Sequence, residues 1–547
     1  GGIGGYDYSE EYDYDNDGEA DYYYHNWYDD YYGYEDDSDN EAYVYAYTPI
    51  YSNSGNIDLS ATNTLATNIN KDIDPATLGG IYYYYDDSYN YAYVQSNYPI
   101  STTEDITLTA ANTVSRDINA DFIGGEYYSY AYEQSWNEIY SGSYSYDYFQ
   151  YYTYYTGYED NSYNEAYIYV YDTLTTTPDG AESTGEINLS ATNDITTTIA
   201  VNGNIGNYED DSYNYAEVYA SSSDTILTDQ GDISLTAANT ISRDITANSI
   251  GGIGGYDYSE EYDYDSDGEA DYYYSYWYDD YYGYEDDSDN EAYVYAYTPI
   301  YSNSGNIDLS ATNTLTTNIN KDIDPTTLGG IYYYYDDSYN YAYVQSNYPI
   351  STTEDITLTA ANTVSRDINA GFIGGEYESG NENSYYYPSY WSYGYDDSSI
   401  YSEYTGYEDE SSNYAYVYAY DTLTTAHVYD WADVDPDEDL VLAGETDGGI
   451  NLSATNDITT TIAVNDSIGD YEDDSYNYAQ VYVSGGDTLY TDTGDISLTA
   501  ANTISRDITA NSIGEIGGYD YSEWYDYDND GVIEEGEYYS ESEEDYY

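Results

Sequence analysis

Apolar and polar positions alternate strictly through a recurring stretch of about 22 residues. In its last copy the apolar set is Ile496, Leu498, Ala500, Ile504, Ile508 and Ala510, with Ser497, Thr499, Ser505 and Thr509 between them. Period two with β-branched residues predicts strand rather than helix. Asn502 and the Arg506-Asp507 pair interrupt the pattern where tight turns fit. The stretch occurs eight times, its first half ending each time in an asparagine: Asn63, Asn112, Asn193, Asn239, Asn313, Asn362, Asn456 and Asn502.

Before each copy lies a second alternating run, as in Ala42-Tyr43-Val44-Tyr45-Ala46-Tyr47. One parity is small and apolar (Ala92, Val94; Ala166, Ile168, Val170; Ala216, Val218; Ala479, Val481, Val483). The other is tyrosine but admits Gln95, Glu217 and Gln480. An unpaired buried carboxylate is costly, so the tyrosine parity is expected to face solvent. It forms a ladder of Tyr43, Tyr45, Tyr47, Tyr91, Tyr93, Tyr167, Tyr169, Tyr171, Tyr215, Tyr219, Tyr293, Tyr295, Tyr297, Tyr416, Tyr418, Tyr420 and Tyr482. The opposite reading, with tyrosines as core, stays open because tyrosine ordinarily prefers partial burial.

Each tyrosine run and the aliphatic stretch after it form a cassette, and residues 1–125 recur almost verbatim at 251–375. Cassettes come in pairs, at 33–125, 157–254, 283–375 and 407–517. Between and around the pairs lie irregular Tyr/Asp-rich segments at 1–32, 126–156, 255–282, 376–406 and 518–547. The fold class expected is all-β, a right-handed parallel β-solenoid. With two coils of three short strands per cassette it has about sixteen coils, roughly 75–80 Å of rod.

Gly305-Asn306-Ile307-Asp308-Leu309-Ser310-Ala311-Thr312-Asn313 resembles the β-helix repeats of filamentous haemagglutinin-type bacterial surface exoproteins. The likeness covers only the aliphatic half of each cassette. It implies an extracellular solenoid used for adhesion or surface structure. The secretion domain of that family has no counterpart here, and none of its binding residues maps across.

Composition limits the chemistry. The 547 residues include 96 tyrosines, 108 acidic and only 6 basic residues, for a net charge of −102, and no cysteine. High charge with few aliphatics is ordinarily a mark of disorder. Here the aliphatics fall on one parity of eight cassettes, which lets part of the chain fold. Disulfides and thiolate sites are excluded, and His25 and His427 are too far apart in unmatched contexts to form a metal cluster. Nucleic acid and anionic membranes would be repelled. No apolar run is long enough to span a bilayer. The lack of any methionine reads as a mature product or an excerpt of a longer array.

Two cation-binding features stand out. Asp526, Asp528, Asp530, Val532, Glu534 and Glu537 fit an EF-hand-like calcium loop, with Gly531 at the sharp turn. Asp13, Asp15, Asp17, Glu19 and Asp21 repeat its first part, as do Asp263, Asp265, Asp267, Glu269 and Asp271. Tyr24 and Tyr274 replace the twelfth-position acid there, which predicts weaker sites. The second feature is the acidic cluster opening each cassette: Glu35-Asp36-Asp37, Asp86-Asp87, Glu159-Asp160, Glu209-Asp210-Asp211, Glu285-Asp286-Asp287, Asp336-Asp337, Glu408-Asp409 and Glu472-Asp473-Asp474. Stacked in register, these carboxylates repel and call for divalent cations. The alternative is a solvated edge that keeps the rod soluble. Arg116, Arg243, Arg366 and Arg506 are each followed by aspartate. They read either as a weak turn ion pair or as the neutraliser of acids on an adjacent coil.

The function expected is structural: a calcium-stabilised, self-assembling protein of an extracellular fibre, surface layer or matrix, joined head to tail or laterally. Calcium is the one cofactor expected, and no catalytic residue is assigned. An adhesin stalk for glycans or surfaces is the second reading, and a disordered ion- or mineral-binding polyanion the third.

Overall fold

A computed structural model of the chain describes residues 2–14, 20–138, 144–180, 182–221, 225–263, 271–386, 394–429, 440–442, 446–484, 488–526 and 538–546. The described elements are β-strands apart from three single-turn 3-10 helices. Each cassette gives one strand to each of four eight-stranded sheets. In the second coil these strands are Tyr84–Asp86, Tyr89–Ser96, Ile100–Ser101 and Ile106–Ala120. They belong to what we term the acid, tyrosine, short and long sheets. Strands of successive coils pair parallel and in register: Asn112 lies between Asn63 and Asn193, and Ala92 between Ala42 and Ala166.

The parallel β-solenoid is therefore present, with a different coil. One cassette makes one turn of four strands, so eight cassettes make eight coils rather than about sixteen. At about 4.8 Å per strand the stack is roughly 35–40 Å long. The discrepancy comes from the asparagine and arginine positions, which are not turns. Ile106, Leu108, Ala110, Asn112, Val114, Arg116, Ile118 and Ala120 share one parity of an unbroken 15-residue strand, and all eight are buried.

That mixed parity divides the interior. The first half of each long strand puts its Ile, Leu and Ala into one core with the Ala/Val parity of the tyrosine sheet and the short sheet, a core that includes Leu108, Val94 and Ile100. The second half packs Ile118 and Ala120 against a buried tyrosine of the acid sheet. Asparagines stand between. Asn63 Nδ2 donates to Asn112 Oδ1 at 3.0 Å, and the chain of amides continues through Asn193, Asn239, Asn313, Asn362 and Asn456 to Asn502 at 2.8–3.0 Å. Asn239 Nδ2 also donates to the carbonyl of Glu291 at 2.8 Å, tying the long sheet to the tyrosine sheet. A second amide column runs from Asn40 through Asn90, Asn164, Asn214, Asn290 and Asn340 to Asn413. Such ladders are satisfied only when coils are in register, so they fix the stacking as asparagine ladders do in cross-β assemblies. Replacing Asn239 with leucine leaves neighbouring amides and the Glu291 carbonyl unmet. A loss of about 1–3 kcal/mol in denaturant unfolding is expected.

The inserts are not irregular. Five antiparallel hairpins join into one ten-stranded sheet beside the solenoid: Gly2–Tyr12 with Tyr22–Tyr32, Gly125–Glu138 with Tyr144–Thr156, Gly252–Asp263 with Tyr272–Tyr282, Glu376–Tyr386 with Gly394–Tyr404, and Ile516–Asp526 with Tyr538–Tyr546. The pairing of cassettes follows from this. A hairpin occupies two strand widths and a coil one, so one hairpin per two coils keeps both stacks in step. The chain leaves the solenoid at glycines with left-handed backbone, Gly124 (φ 73°), Gly251 (φ 89°) and Gly374 (φ 94°). A Cβ on Gly251 would lie 1.8 Å from the Tyr282 carbonyl oxygen, so only glycine allows the exit and return strands to meet there.

Candidate functional site

The repeated feature with chemistry in it begins in the three-residue acid strand. In Tyr-x-Asp the first and third side chains share a face. Here that face is inward: Tyr84 and Asp86 are buried, as are Tyr158 with Asp160, Tyr208 with Asp210, Tyr284 with Asp286, Tyr334 with Asp336 and Tyr407 with Asp409. A serine two residues on turns the chain and donates its backbone N–H to the aspartate, as Ser88 does to Asp86 Oδ1 at 3.0 Å and Ser411 to Asp409 at 3.1 Å.

The acidic clusters are thus split by parity. Asp86, Asp160, Asp210, Asp286, Asp336 and Asp409 are internal and do not form a solvated edge; Asp36 and Asp473, in the end coils, are half-buried. Asp37, Asp87, Asp211, Asp287, Asp337 and Asp474 are exposed, with Glu35 and Glu472, while Glu159, Glu209, Glu285 and Glu408 are half-buried. Burial and the neighbouring carboxylates Glu159 and Asp211 push Glu209 up to about 7. Partial desolvation by the packed neighbouring coils and the carboxylate of Glu285 push Asp287, exposed as a residue, up to about 6.

The arginines enter from the long sheet. Arg116 Nε meets Asp86 of its own coil at 2.6 Å and Nη1 meets Asp160 of the next at 2.9 Å, while Nη2 donates to Ser162 Oγ at 3.1 Å. Arg243 bridges Asp210 and Asp286 at 2.6 and 2.7 Å, and Arg366 bridges Asp336 and Asp409 at 2.6 and 3.1 Å. In the last coil Arg506 pairs with Asp473. The turn ion pair with the following aspartate does not form at these arginines. Asp117 and Asp367 point outward, to Lys71 at 3.0 Å and Lys321 at 3.8 Å of the preceding coil. In the other coils the arginine position is threonine, at Thr67, Thr197, Thr317 and Thr460, so the column alternates.

Three buried arginines therefore serve six buried aspartates. Burial raises a carboxylate and a neighbouring arginine charge lowers it. Asp86 and Asp210 are held below the usual range by Arg116 and Arg243, against the pull of burial and with help from Ser88 and Ser212. Asp160 and Asp286 are pushed up to about 7 by burial and adjacent aspartates, despite the same arginines. The Arg116 and Arg243 groups thus each hold one firmly ionised carboxylate and one that takes up a proton near neutrality.

Above this ionic column the buried tyrosines stack. Rings of Tyr34, Tyr84, Tyr158, Tyr208, Tyr284, Tyr334, Tyr407 and Tyr471 follow one another with centroids 4.7–5.2 Å apart and planes within 6–10°. This set was not separated from the rest in the sequence; its signal is the Tyr-x-Asp-x-Ser spacing in all eight coils. The tyrosine ladder itself faces outward as expected, with the Ala/Val parity inside. Its rings cover one another: Tyr43, Tyr45, Tyr47, Tyr171, Tyr420 and Tyr482 are exposed, and Tyr91, Tyr93, Tyr167, Tyr169, Tyr215, Tyr219, Tyr293, Tyr295, Tyr297, Tyr416 and Tyr418 are half-buried. One outer column runs from Tyr43 through Tyr91, Tyr167, Tyr215, Tyr293, Tyr341 and Tyr416 to Tyr478 at 5.2–5.5 Å.

In sequence the calcium-type motifs lie between the two strands of the first, third and fifth hairpins. Asp15, Asp17, Glu19, Asp265, Asp267, Glu269, Asp528, Asp530, Val532, Glu534 and Glu537 lie outside the described residues. At the base of the first loop Asp21 N donates to the Tyr12 carbonyl at 2.8 Å, and the Asp21 carboxylate accepts from Tyr14 N at 2.5 Å. Asp271 closes the third hairpin in the same way, through the Tyr262 carbonyl at 2.8 Å. Among the described residues no three metal-ligating side chains converge. Comparison with protein-family models, curated proteins and solved structures returns no match.

Proposed function

We propose that the protein is a structural element of an extracellular fibre, surface layer or matrix. The observation that carries this reading is that its chemistry comes in columns. The same tyrosine, aspartate and asparagine positions recur coil after coil in one register. Repetition of this kind supplies length, stiffness and a multivalent surface. The exposed tyrosine rows support lateral self-association, because tyrosine combines apolar area with low ordering cost. Ile496, Leu498 and Ile504 of the eighth coil are more than two-fifths exposed, a surface that another coil would cover. The likeness of the aliphatic repeats to filamentous haemagglutinin-type exoproteins agrees with this proposal.

Calcium fits the same reading. Asp13 and Asp21 flank the first loop, Asp263 and Asp271 the third, and the loops recur on alternate hairpins. Calcium bound by these motifs would neutralise their clustered carboxylates and tie the two strands of each hairpin together. Electron microscopy and calorimetry with calcium and with EDTA test this. Calcium is expected to raise the melting temperature and promote filaments or sheets, and EDTA to reverse both. Dispersed monomers with one melting temperature in both conditions would contradict the proposal.

An adhesin stalk is the second reading. It is favoured by an open cleft of about 630 Å³ where the hairpin sheet meets the first coils, walled by Tyr31, Tyr83 and Tyr85 and rimmed by Asp29, Glu35 and Asp37. Aromatic walls with polar rims suit sugar rings. Glycan-array binding lost in Tyr83→Ala would favour this reading over the fibre.

A further inference from the structure

The buried tyrosine column is absorbed by neither reading. It is a continuous stack of eight phenols, six of them fully inside the protein. Its rings are nearly parallel and closer together than those of the outer columns. Phenol oxidation at neutral pH requires a proton acceptor beside the ring, and each ring has a carboxylate two residues on along the same face. Phenol oxygens lie 3.3 Å from Asp36 and 3.5 Å from Asp86, Asp160 and Asp286 in four of the coils; the phenols of Tyr208, Tyr334, Tyr407 and Tyr471 make no hydrogen bond, so in those coils the proton crosses a longer gap to the carboxylate two residues on. Shielding from water also removes the small reductants and radical traps that would quench an exposed tyrosyl.

We propose that this column carries oxidising equivalents along the solenoid axis. A one-electron oxidant, such as an oxidised metal complex, takes one electron from Tyr471 and is reduced by one, and the phenolic proton passes to Asp473. Tyr407 then gives an electron to the Tyr471 radical, which regains its proton from Asp473 while Asp409 accepts the proton of Tyr407. The same exchange repeats through Tyr334, Tyr284, Tyr208, Tyr158 and Tyr84 to Tyr34. Each hop moves one electron, returns one proton and leaves the previous pair as it was, so one oxidised ring travels. The half-buried end rings Tyr34 and Tyr471 provide entry and exit, and one arginine bridges each successive pair of buried carboxylates.

The absence of cysteine makes the test direct. Asp474→Cys places a unique thiol on the exposed side of the eighth coil, to carry a ruthenium photo-oxidant. Flash oxidation with a sacrificial electron acceptor, in the presence of a nitroso spin trap, is followed by mass-spectrometric mapping of adducts. The column predicts adducts on Tyr34 whose yield per protein is independent of protein concentration. They are lost in Tyr208→Phe/Tyr284→Phe, which keeps the stacked rings but not oxidisable phenols. They persist in Tyr215→Phe/Tyr293→Phe, which interrupts an outer column in the same coils. Unchanged melting temperatures show that both variants keep the fold. Adducts confined to coils near the label, Tyr34 adducts that survive the inner substitutions, or equal loss from the outer ones would overturn the proposal.

Discussion

Substituting Arg243 with threonine is expected to cost about 3–5 kcal/mol of folding stability, the usual penalty for removing one partner from a buried ion pair. Threonine occupies the same position in the adjacent coils at Thr197 and Thr317, so the backbone accepts it and the effect is electrostatic. The substitution strands Asp210 and Asp286, whose only cationic contacts among the described residues are Arg243 Nε and Nη1. Both would have to be protonated to stay buried. The loss should therefore be largest at neutral pH and shrink as pH falls toward 4. Denaturant unfolding at pH 7 and pH 4.5 measures it, and a pH-independent loss would assign the effect to packing. Arg506→Thr, in the half-exposed last coil, should cost much less because water screens Asp473.

The wild-type stability profile should be inverted relative to most proteins. Asp160 and Asp286 titrate at about 7 in the folded chain and near 4 when unfolded. The folded state then binds more protons across that interval, so their contribution is full below about pH 4 and is lost as pH rises through 7. Glu209 and Asp287 on the outer columns act in the same direction. Asp86 and Asp210 oppose them: their folded values are depressed, so their contribution is present above pH 4 and disappears only in stronger acid. The two sets together place maximum stability in mildly acidic solution, above the range where Asp86 and Asp210 protonate. Raising the pH from 5 to 8 is expected to cost on the order of a few kcal/mol, visible as a fall in melting temperature at constant ionic strength. A melting temperature that rises over that interval would contradict the assignment of the raised carboxylates.

Much of this architecture is legible in the chain because a strand reports its faces directly. The Ala/Val parity of Ala42-Tyr43-Val44 marks the inner face, and the tyrosine ladder lies on the other face, where Gln95 is half-buried and Glu217 is covered by its neighbours and accepts from the Tyr215 hydroxyl at 2.7 Å. The coil was harder to read. Asn112 and Arg116 looked like breaks because polar residues in an apolar pattern usually mark turns. Their parity, unbroken from Ile106 to Ala120, is the better guide, and it follows once a buried amide can pair with its own copy in the next coil. Register is the reason the ionic column stands in the sequence only as one of two readings of the arginines. Which aspartate of Glu209-Asp210-Asp211 points inward depends on the strand phase. Whether Arg243 reaches Asp286 depends on that residue being one coil away instead of two. The hairpin sheet was hidden for another reason: Tyr, Ser, Asp and Glu fill both its faces, so no hydrophobic alternation reveals the strands between Tyr144 and Thr156.

A chain with a net charge of −102 folds, on this account, because its charges are sorted by position: paired inside with arginine, or outside on the columns. Hydrogen–deuterium exchange without added cations tests that claim most directly. The long strands Ile187–Val201 and Ile233–Thr246 should be strongly protected at pH 5 and more weakly at pH 8, with the hairpin sheet exchanging first. Uniformly fast exchange of both strands at pH 5 would contradict it.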